Sequence, residues 1–485
     1  MSNLDARTRW LALYVLCLAS LMIVLDVTIV GVALPSIKDD LGFSDTSLAW
    51  VVNAYLLTYG GFLLLGGRLG DLYGNRRLFL IGISLFTVAS LACGLSTSQG
   101  FLIAARGVQG LGGAIASAVS LSLMVNLFTE PGERAKAMGI FGFVASGGGS
   151  IGVLLGGFIT DLISWHWIFL VNFPIGILVV VLSLRWLPET NLGTSMRLDV
   201  GGAITVTAAL VIAVYAIVNA NVKGWTSLHT LGLLGLAAVI FAVFLVIELR
   251  VQSPLVPLAL FKLRNLATAC GVGVLWAGAM FAWFFLTALY MQLVLGYSPL
   301  QIGLAFLPGN LIMGVLSIGL SAKLVMRYGF RLPLATGLGL AALGLLWLAR
   351  APVDGSFATD IFPSMVLLGV GAGIAFNPVL LAAMSDVEPQ ESGLASGIVN
   401  TSFMMGGALG LAVLASVADS RTSSLLDAGH SQVAALTGGY HAAFLIGAIF
   451  AGSAAVIGGL LLRNQELPAH EAAPVGEPAF DERAA

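Results

Sequence analysis

Long apolar blocks separated by short polar connections make up almost the whole chain. Fourteen such blocks cover residues 10–34, 48–66, 78–96, 98–125, 136–160, 166–186, 200–219, 228–247, 267–292, 299–322, 331–349, 361–384, 394–416 and 440–462. A helix needs roughly 20 mostly apolar residues to cross a bilayer, and each block is near that length. The connections carry Pro, Gly, Asp and Asn, which favour turns and helix ends. The longest, 187–199 and 417–439, leave no room for a soluble domain between spans. The pattern predicts an all-α membrane protein with 14 transmembrane helices. From residue 464 to 485 the chain turns to Glu, Pro and Ala, which predicts a disordered tail.

Composition strengthens this picture. Of 485 residues, 58% are hydrophobic and 9% charged, whereas soluble domains carry roughly 25% charged residues. Such a chain cannot cover a water-facing surface. Glycine supplies 60 residues, about 12% against a usual ~7%, and small residues let membrane helices approach closely. Cys17, Cys93 and Cys270 all fall inside apolar blocks, so they read as packing residues rather than disulfides or metal ligands. The first block, at 25 residues, exceeds a signal peptide's apolar core of roughly 7–15 and reads as a retained span.

Charge gives the orientation. With both termini on one side, that side holds seventeen of the 22 Lys and Arg residues; Lys38, Lys223, Arg350 and Arg421 lie on the other. The excess marks the cytoplasmic side, so both termini are expected in the cytoplasm and the chain in the cell (inner) membrane. An even number of spans follows, and fourteen is even.

The remaining basic residue, Arg106, sits deep inside a span, as does Asp26. Charges at bilayer depth are costly and tend to face a bundle interior or a hydrated path. Asp26 is eight residues before the far end of the first span, and Arg106 eight residues after the far end of the fourth. At 1.5 Å per residue both lie roughly 12 Å from the same surface, so the two are expected to pair. Asp26 is the one carboxylate that the blocks place firmly inside a span.

Residues 66–77 read G-G-R-L-G-D-L-Y-G-N-R-R, and a degenerate echo, A-K-L-V-M-R-Y-G-F-R, occupies 322–331. If 200–219 and 228–247 are an insert, these segments follow the second span of each of two six-span halves. The first segment resembles the signature loop of the major facilitator superfamily at Gly67, Asp71, Gly74, Arg76 and Arg77, with Leu72 where a basic residue is usual. That resemblance implies a conformational latch between halves. It also implies the major facilitator fold: an N-terminal six-helix bundle (1–190), two additional helices (191–255) and a C-terminal six-helix bundle (256–463), with the tail beyond. A bland alternative is a loop that only fixes topology.

Further motifs narrow the resemblance to the fourteen-span drug:proton antiporters of the EmrB/QacA type. L-D-V-T-I-V-G-V-A-L-P-S-I (25–37) is similar to that group's first-span motif and implies proton coupling and substrate recognition at Asp26. R-G-V-Q-G-L-G-G-A (106–114) is similar to its fourth-span motif at Arg106, Gln109 and Gly110. Gly139, Gly148, Gly152, Gly156 and Gly157 match a helix-packing pattern of the fifth span, but Val153 stands where that pattern has proline. Residues 164–176, 290–303 and 395–402 resemble the group more loosely. His166, where Arg is common, is either an outside pH sensor or a solvated loop residue. Trp276, Phe281, Trp283, Phe284 and Phe285 either line an apolar drug cavity or serve packing and lipid contact.

The resemblance implies proton-motive-force-driven efflux of amphipathic small molecules, apolar or cationic, by alternating access. A dedicated exporter of one endogenous metabolite, antibiotic or siderophore would use the same residues. A non-transporting receptor or sensor is the alternative from another class. No G-K-[ST] phosphate loop, H-E-x-x-H or C-x-x-C occurs, so no enzyme activity, cofactor or metal is expected. Protons, substrate and the lipid bilayer are the expected partners; no basic run suggests nucleic acid. Nothing in the sequence identifies a periplasmic adaptor.

Overall fold

The computed structural model describes residues 5–128, 130–188, 199–252, 254–387 and 392–463. The tail at 464–485 and the expected boundary at 190/191 lie outside them. Sixteen α-helices follow one another with no strand among the described residues. The first half holds α1 (Ala6–Leu41), α2 (Asp45–Tyr73), α3 (Asn75–Gly94), α4 (Gln99–Leu127), α5 (Pro131–Leu162), the single turn α6 (Trp167–Leu170) and α7 (Asn172–Trp186). Then come α8 (Val200–Lys223) and α9 (Leu228–Arg250). The remainder holds α10 (Arg264–Leu289), α11 (Pro299–Leu316), α12 (Ala322–Tyr328), α13 (Arg331–Leu348), α14 (Phe362–Ser385), α15 (Ser392–Asp427) and α16 (Gln432–Leu461).

Local chemistry sets many of the ends. Ser44 and Ser298 form capping boxes with Ser47 and Gln301 at the starts of α2 and α11, satisfying amide donors that the first turn leaves open. Asp5, Asp199, Ser227 and Ser431 cap α1, α8, α9 and α16. Gly42 ends α1 at φ 68°, a left-handed conformation that costs glycine little.

Thirteen stretches of the described residues are long and apolar enough to cross a membrane. Helix α5 makes a fourteenth by length: its 32 residues span roughly 48 Å, though only Ile151–Leu162 registers as apolar among its described side chains. Its axis continues through Val153, where proline would remove a backbone donor.

Hydrogen bonds between helix ends fix the up-and-down order. Gln99 of α4 donates to the carbonyls of Leu41 and Gly42 at the far end of α1 (3.0 and 2.9 Å). Arg9 of α1 pairs with Glu133 of α5 at 2.8 Å. Arg264 and Arg331, opening α10 and α13, donate to carbonyls at the end of α16. Helices α1–α7 pack mainly on one another, as do α10–α16, while α8 packs on α9 and also against α2 and α15. Asn221 of α8 donates to the Ser416 carbonyl (2.7 Å) and to Asp419 of α15 (2.9 Å), tying the additional pair to the last helices.

Candidate functional site

The two intramembrane charges meet. Asp26 lies midway along α1 and Arg106 two turns into α4; their side chains join at 2.6 Å. They are 0% and 1% exposed, so this is an ion pair removed from both water and lipid. Every other contact compensates that burial. Asp26 Oδ1 accepts from Gln109 Nε2 (2.7 Å) and from Asn172 Nδ2 (2.9 Å). Arg106 donates through Nε to the Val51 carbonyl (3.0 Å) and through Nη1 to Gln109 Oε1 (2.7 Å). Its guanidinium lies over the Tyr55 ring at 4.4 Å and near the Phe169 ring at 5.6 Å. Gln109 Nε2 also reaches Ser90 Oγ at 2.7 Å, and the Cys93 thiol donates to Gln109 Oε1 at 3.6 Å. Six elements, α1, α2, α3, α4, α6 and α7, thus meet around one carboxylate and one guanidinium. A pair so enclosed stands only when its remaining donors and acceptors are met.

Gln109 follows Arg106 by three residues, so both project from one face of α4. Gly110, next in line, lets α4 close onto α2: a Cβ there would meet the Tyr55 carbonyl at 2.5 Å. Asn172 stands in the 164–176 segment that the motifs flagged without assigning it a role. Ser90 and Tyr55 carry no sequence signal beyond being polar residues in spans.

The glycine pattern of α5 faces α1 one turn either side of the pair. Added Cβ atoms would meet Leu21 from Gly148 (3.0 Å), the Leu25 carbonyl from Gly152 (3.0 Å) and the Ile29 carbonyl from Gly156 (2.7 Å). Gly157 points the other way. Its Cβ would meet the Pro299 carbonyl of α11 at 2.6 Å, and one on Gly303 would meet the Val153 carbonyl at 2.9 Å. The two six-helix groups therefore touch backbone to backbone on the side away from the N-terminus. Gly139's surroundings lie outside the described residues.

Toward the N-terminal side, a cavity of about 540 Å³ lies between α2, α4 and α15, with Gly67, Arg68, Ser117, Ser122, Gly397 and Asn400 in its walls. Asp26 and Arg106 do not line it. Two tyrosines stand between the pair and the cavity: Tyr55 stacks on Tyr59 at 5.7 Å, and Tyr59 lies beside Ser117 of the cavity wall.

In the loop motif, Gly67 faces this cavity, and Gly74 joins α2 to α3 at φ 93°. Arg76 donates to the Leu184 carbonyl of α7 at 2.6 Å, and Arg77 is exposed. The Asp71 side chain lies outside the described residues. His166 is half-buried, stacked on Trp165 and within 2.8 Å of Ser164 Oγ. Trp276, Trp283 and Phe285 are buried in the core of the second half, and Phe284 and Trp283 pack on Phe306; that is packing.

Besides Asp26, two carboxylates outside the span interiors are enclosed: Asp199 and Glu248 are 5% and 4% exposed. They stand at the edges of the 200–219 and 228–247 blocks, where charge normally reads as solvated.

Known proteins place this architecture. The family model of the Major Facilitator Superfamily matches residues 16–411. Puromycin resistance protein pur8 of Streptomyces alboniger is 39% identical over 437 residues, 89% of this chain and 86% of that protein. Cephamycin export protein CmcT of Amycolatopsis lactamdurans is 40% identical over 426 residues, 86% of each. Multidrug resistance protein Stp of Mycobacterium tuberculosis is 38% identical over 421 residues, 87% of this chain and 78% of that protein. The fold of a bacterial homolog of the human lysosomal transporter Spinster, solved inward-facing, superposes with a TM-score of 0.68 at 14% identity, covering 96% of this chain and 100% of that one. The chain belongs to the Major Facilitator Superfamily and is a membrane transporter with efflux-type relatives.

Proposed function

We propose that the protein exports amphipathic small molecules, apolar or cationic, in exchange for protons, by alternating access across the cell membrane with both termini in the cytoplasm. The observation that carries this reading is the enclosed Asp26–Arg106 pair. Protonation of Asp26 removes the counter-charge of Arg106 and weakens the acceptor that Gln109 and Asn172 share. A network drawn from six elements then has a reason to rearrange, because a lone buried cation is far more costly than a paired one. Tyr55 and Tyr59 stand between this network and the cavity on the N-terminal side. Backbone contact at Gly157 and Gly303, with the cavity on the opposite side, fits the inward-facing state of such a cycle. The latch role of residues 67–77 and the rocking of two six-helix lobes belong to the same proposal.

The test uses everted vesicles with an imposed pH gradient and a lipophilic cationic dye. Wild-type protein is expected to concentrate the dye; Asp26→Asn is expected to abolish gradient-driven accumulation while still exchanging bound dye for free dye. Full accumulation by Asp26→Asn would refute the assignment.

A second reading, a dedicated exporter of one endogenous antibiotic, draws support from relatives named for cephamycin export and lincomycin resistance. It predicts transport of a single compound class and indifference to unrelated dyes in the same assay.

A further inference from the structure

The two enclosed carboxylates of the additional helices border one space. Asp199 caps α8, its Oδ1 accepting from the Gly202 amide at 2.7 Å. Glu248 lies in the last turn of α9, and its Oε2 accepts from the Val256 amide at 3.1 Å. The other oxygen of each, Asp199 Oδ2 and Glu248 Oε1, has no hydrogen-bond partner. Both free oxygens converge on Gly202. A Cβ there would stand 2.6 Å from Asp199 Oδ2 and 2.9 Å from Glu248 Oε1, so both oxygens border the space that one missing methyl group would fill.

No cation among the described residues balances them. Helix α8 offers only Lys223, at its opposite end. Helix α9 offers His229, also at its opposite end, and Arg250, which is exposed. The segment 254–257 carries no charge. Helix α2, which closes over Ala203 and Leu255 with Leu65 and Leu69, carries Arg68 in the wall of the 540 Å³ cavity, and Asp71. Two unscreened like charges around one such space in a low-dielectric setting repel strongly. A proton on one of them removes the repulsion and supplies an O–H donor that the other oxygen can accept once the two close to hydrogen-bond distance.

We propose that Asp199 and Glu248 form a proton-binding site on the two additional helices, in which one carboxyl group stays protonated and donates its O–H to the free oxygen of the other. The site joins the start of α8 to the end of α9 and to Val256, at the entry to the second six-helix group. It is separate from Asp26, and it stands or falls apart from proton-coupled efflux because its test reads the carboxyl groups directly.

The test is infrared spectroscopy of the purified full-length protein carrying Asp26→Asn, which removes that carboxyl group. At neutral pH a protonated-carboxyl band, shifted by deuterium exchange, is expected. Glu248→Gln and Asp199→Asn, each added singly, preserve the bonds to the Val256 and Gly202 amides and are expected to abolish it. Gly202→Ala, which fills that space with a methyl, is expected to diminish it. Absence of the band, its persistence in both carboxamide variants, or its loss on adding sodium or potassium ions, which would mean that a metal cation fills the cradle, would each overturn the proposal.

Discussion

Asp26 and Arg106 are stable at bilayer depth because neither is left alone. Arg106→Met leaves an uncompensated carboxylate among Leu25, Tyr55 and Phe169, and should cost about 3–5 kcal/mol in unfolding measurements in detergent. Adding Asp26→Asn to that variant should recover most of the loss without restoring gradient-driven transport. If the double variant is no more stable than the single one, the pair is not the unit that holds this site. Legibility at this scale followed cost. A charge inside an apolar run is conspicuous, so Asp26, Arg106 and their common depth could be read from the chain alone. Asn172, Ser90 and Tyr55 could not, because uncharged polar and aromatic residues are frequent in spans and nothing local says which face they occupy. Asp199 and Glu248 escaped for another reason. They sit at block edges, and residues distant in sequence, Val256 bonded to Glu248 and α2 packed over Ala203 and Leu255, close around them.

Helix α5 carries a ladder of glycines because two neighbours must come within backbone distance of it. Gly156→Ala would drive a Cβ to 2.7 Å from the Ile29 carbonyl and should destabilise the protein by about 1–3 kcal/mol. Gly149→Ala, whose Cβ meets only Thr28 Cγ2 at 3.9 Å, should leave the melting temperature unchanged; equal losses from both would remove the close-approach argument. Gly157 belongs to the other contact. Gly157→Leu should part α5 from α11, and spin labels at Leu162 and Gln301 should report a longer mean distance than in the wild-type background. An unchanged distance distribution would show that this glycine does not close the far side. The spacing of these glycines was visible in the sequence, but not their division between α1 and α11, since a residue pattern gives a helical face and not its occupant. The missing proline at Val153 left the α5 axis unbroken.

The whole molecule combines a sealed charge pair in one lobe, a cavity on the N-terminal side between α2, α4 and α15, and backbone contact between the halves on the opposite side. Apolar block lengths made the span count and the helical class readable, because the bilayer leaves few ways to satisfy a backbone within it. The additional pair α8–α9 was visible as two extra blocks, but its attachment through Asn221 to Ser416 and Asp419 was not, since residues nearly 200 positions apart share no local pattern. In the proposed cycle substrate and proton move in opposite directions through one protein, with Asp26 as the exchanged site. This exchange is tested most directly in proteoliposomes containing a pH-sensitive dye, with no imposed gradient, by adding a transported cationic compound to one side. Proton movement opposite to the substrate is expected in wild-type protein and none with Asp26→Asn; substrate movement at the wild-type rate without proton flux, or proton flux undiminished in the variant, would contradict it.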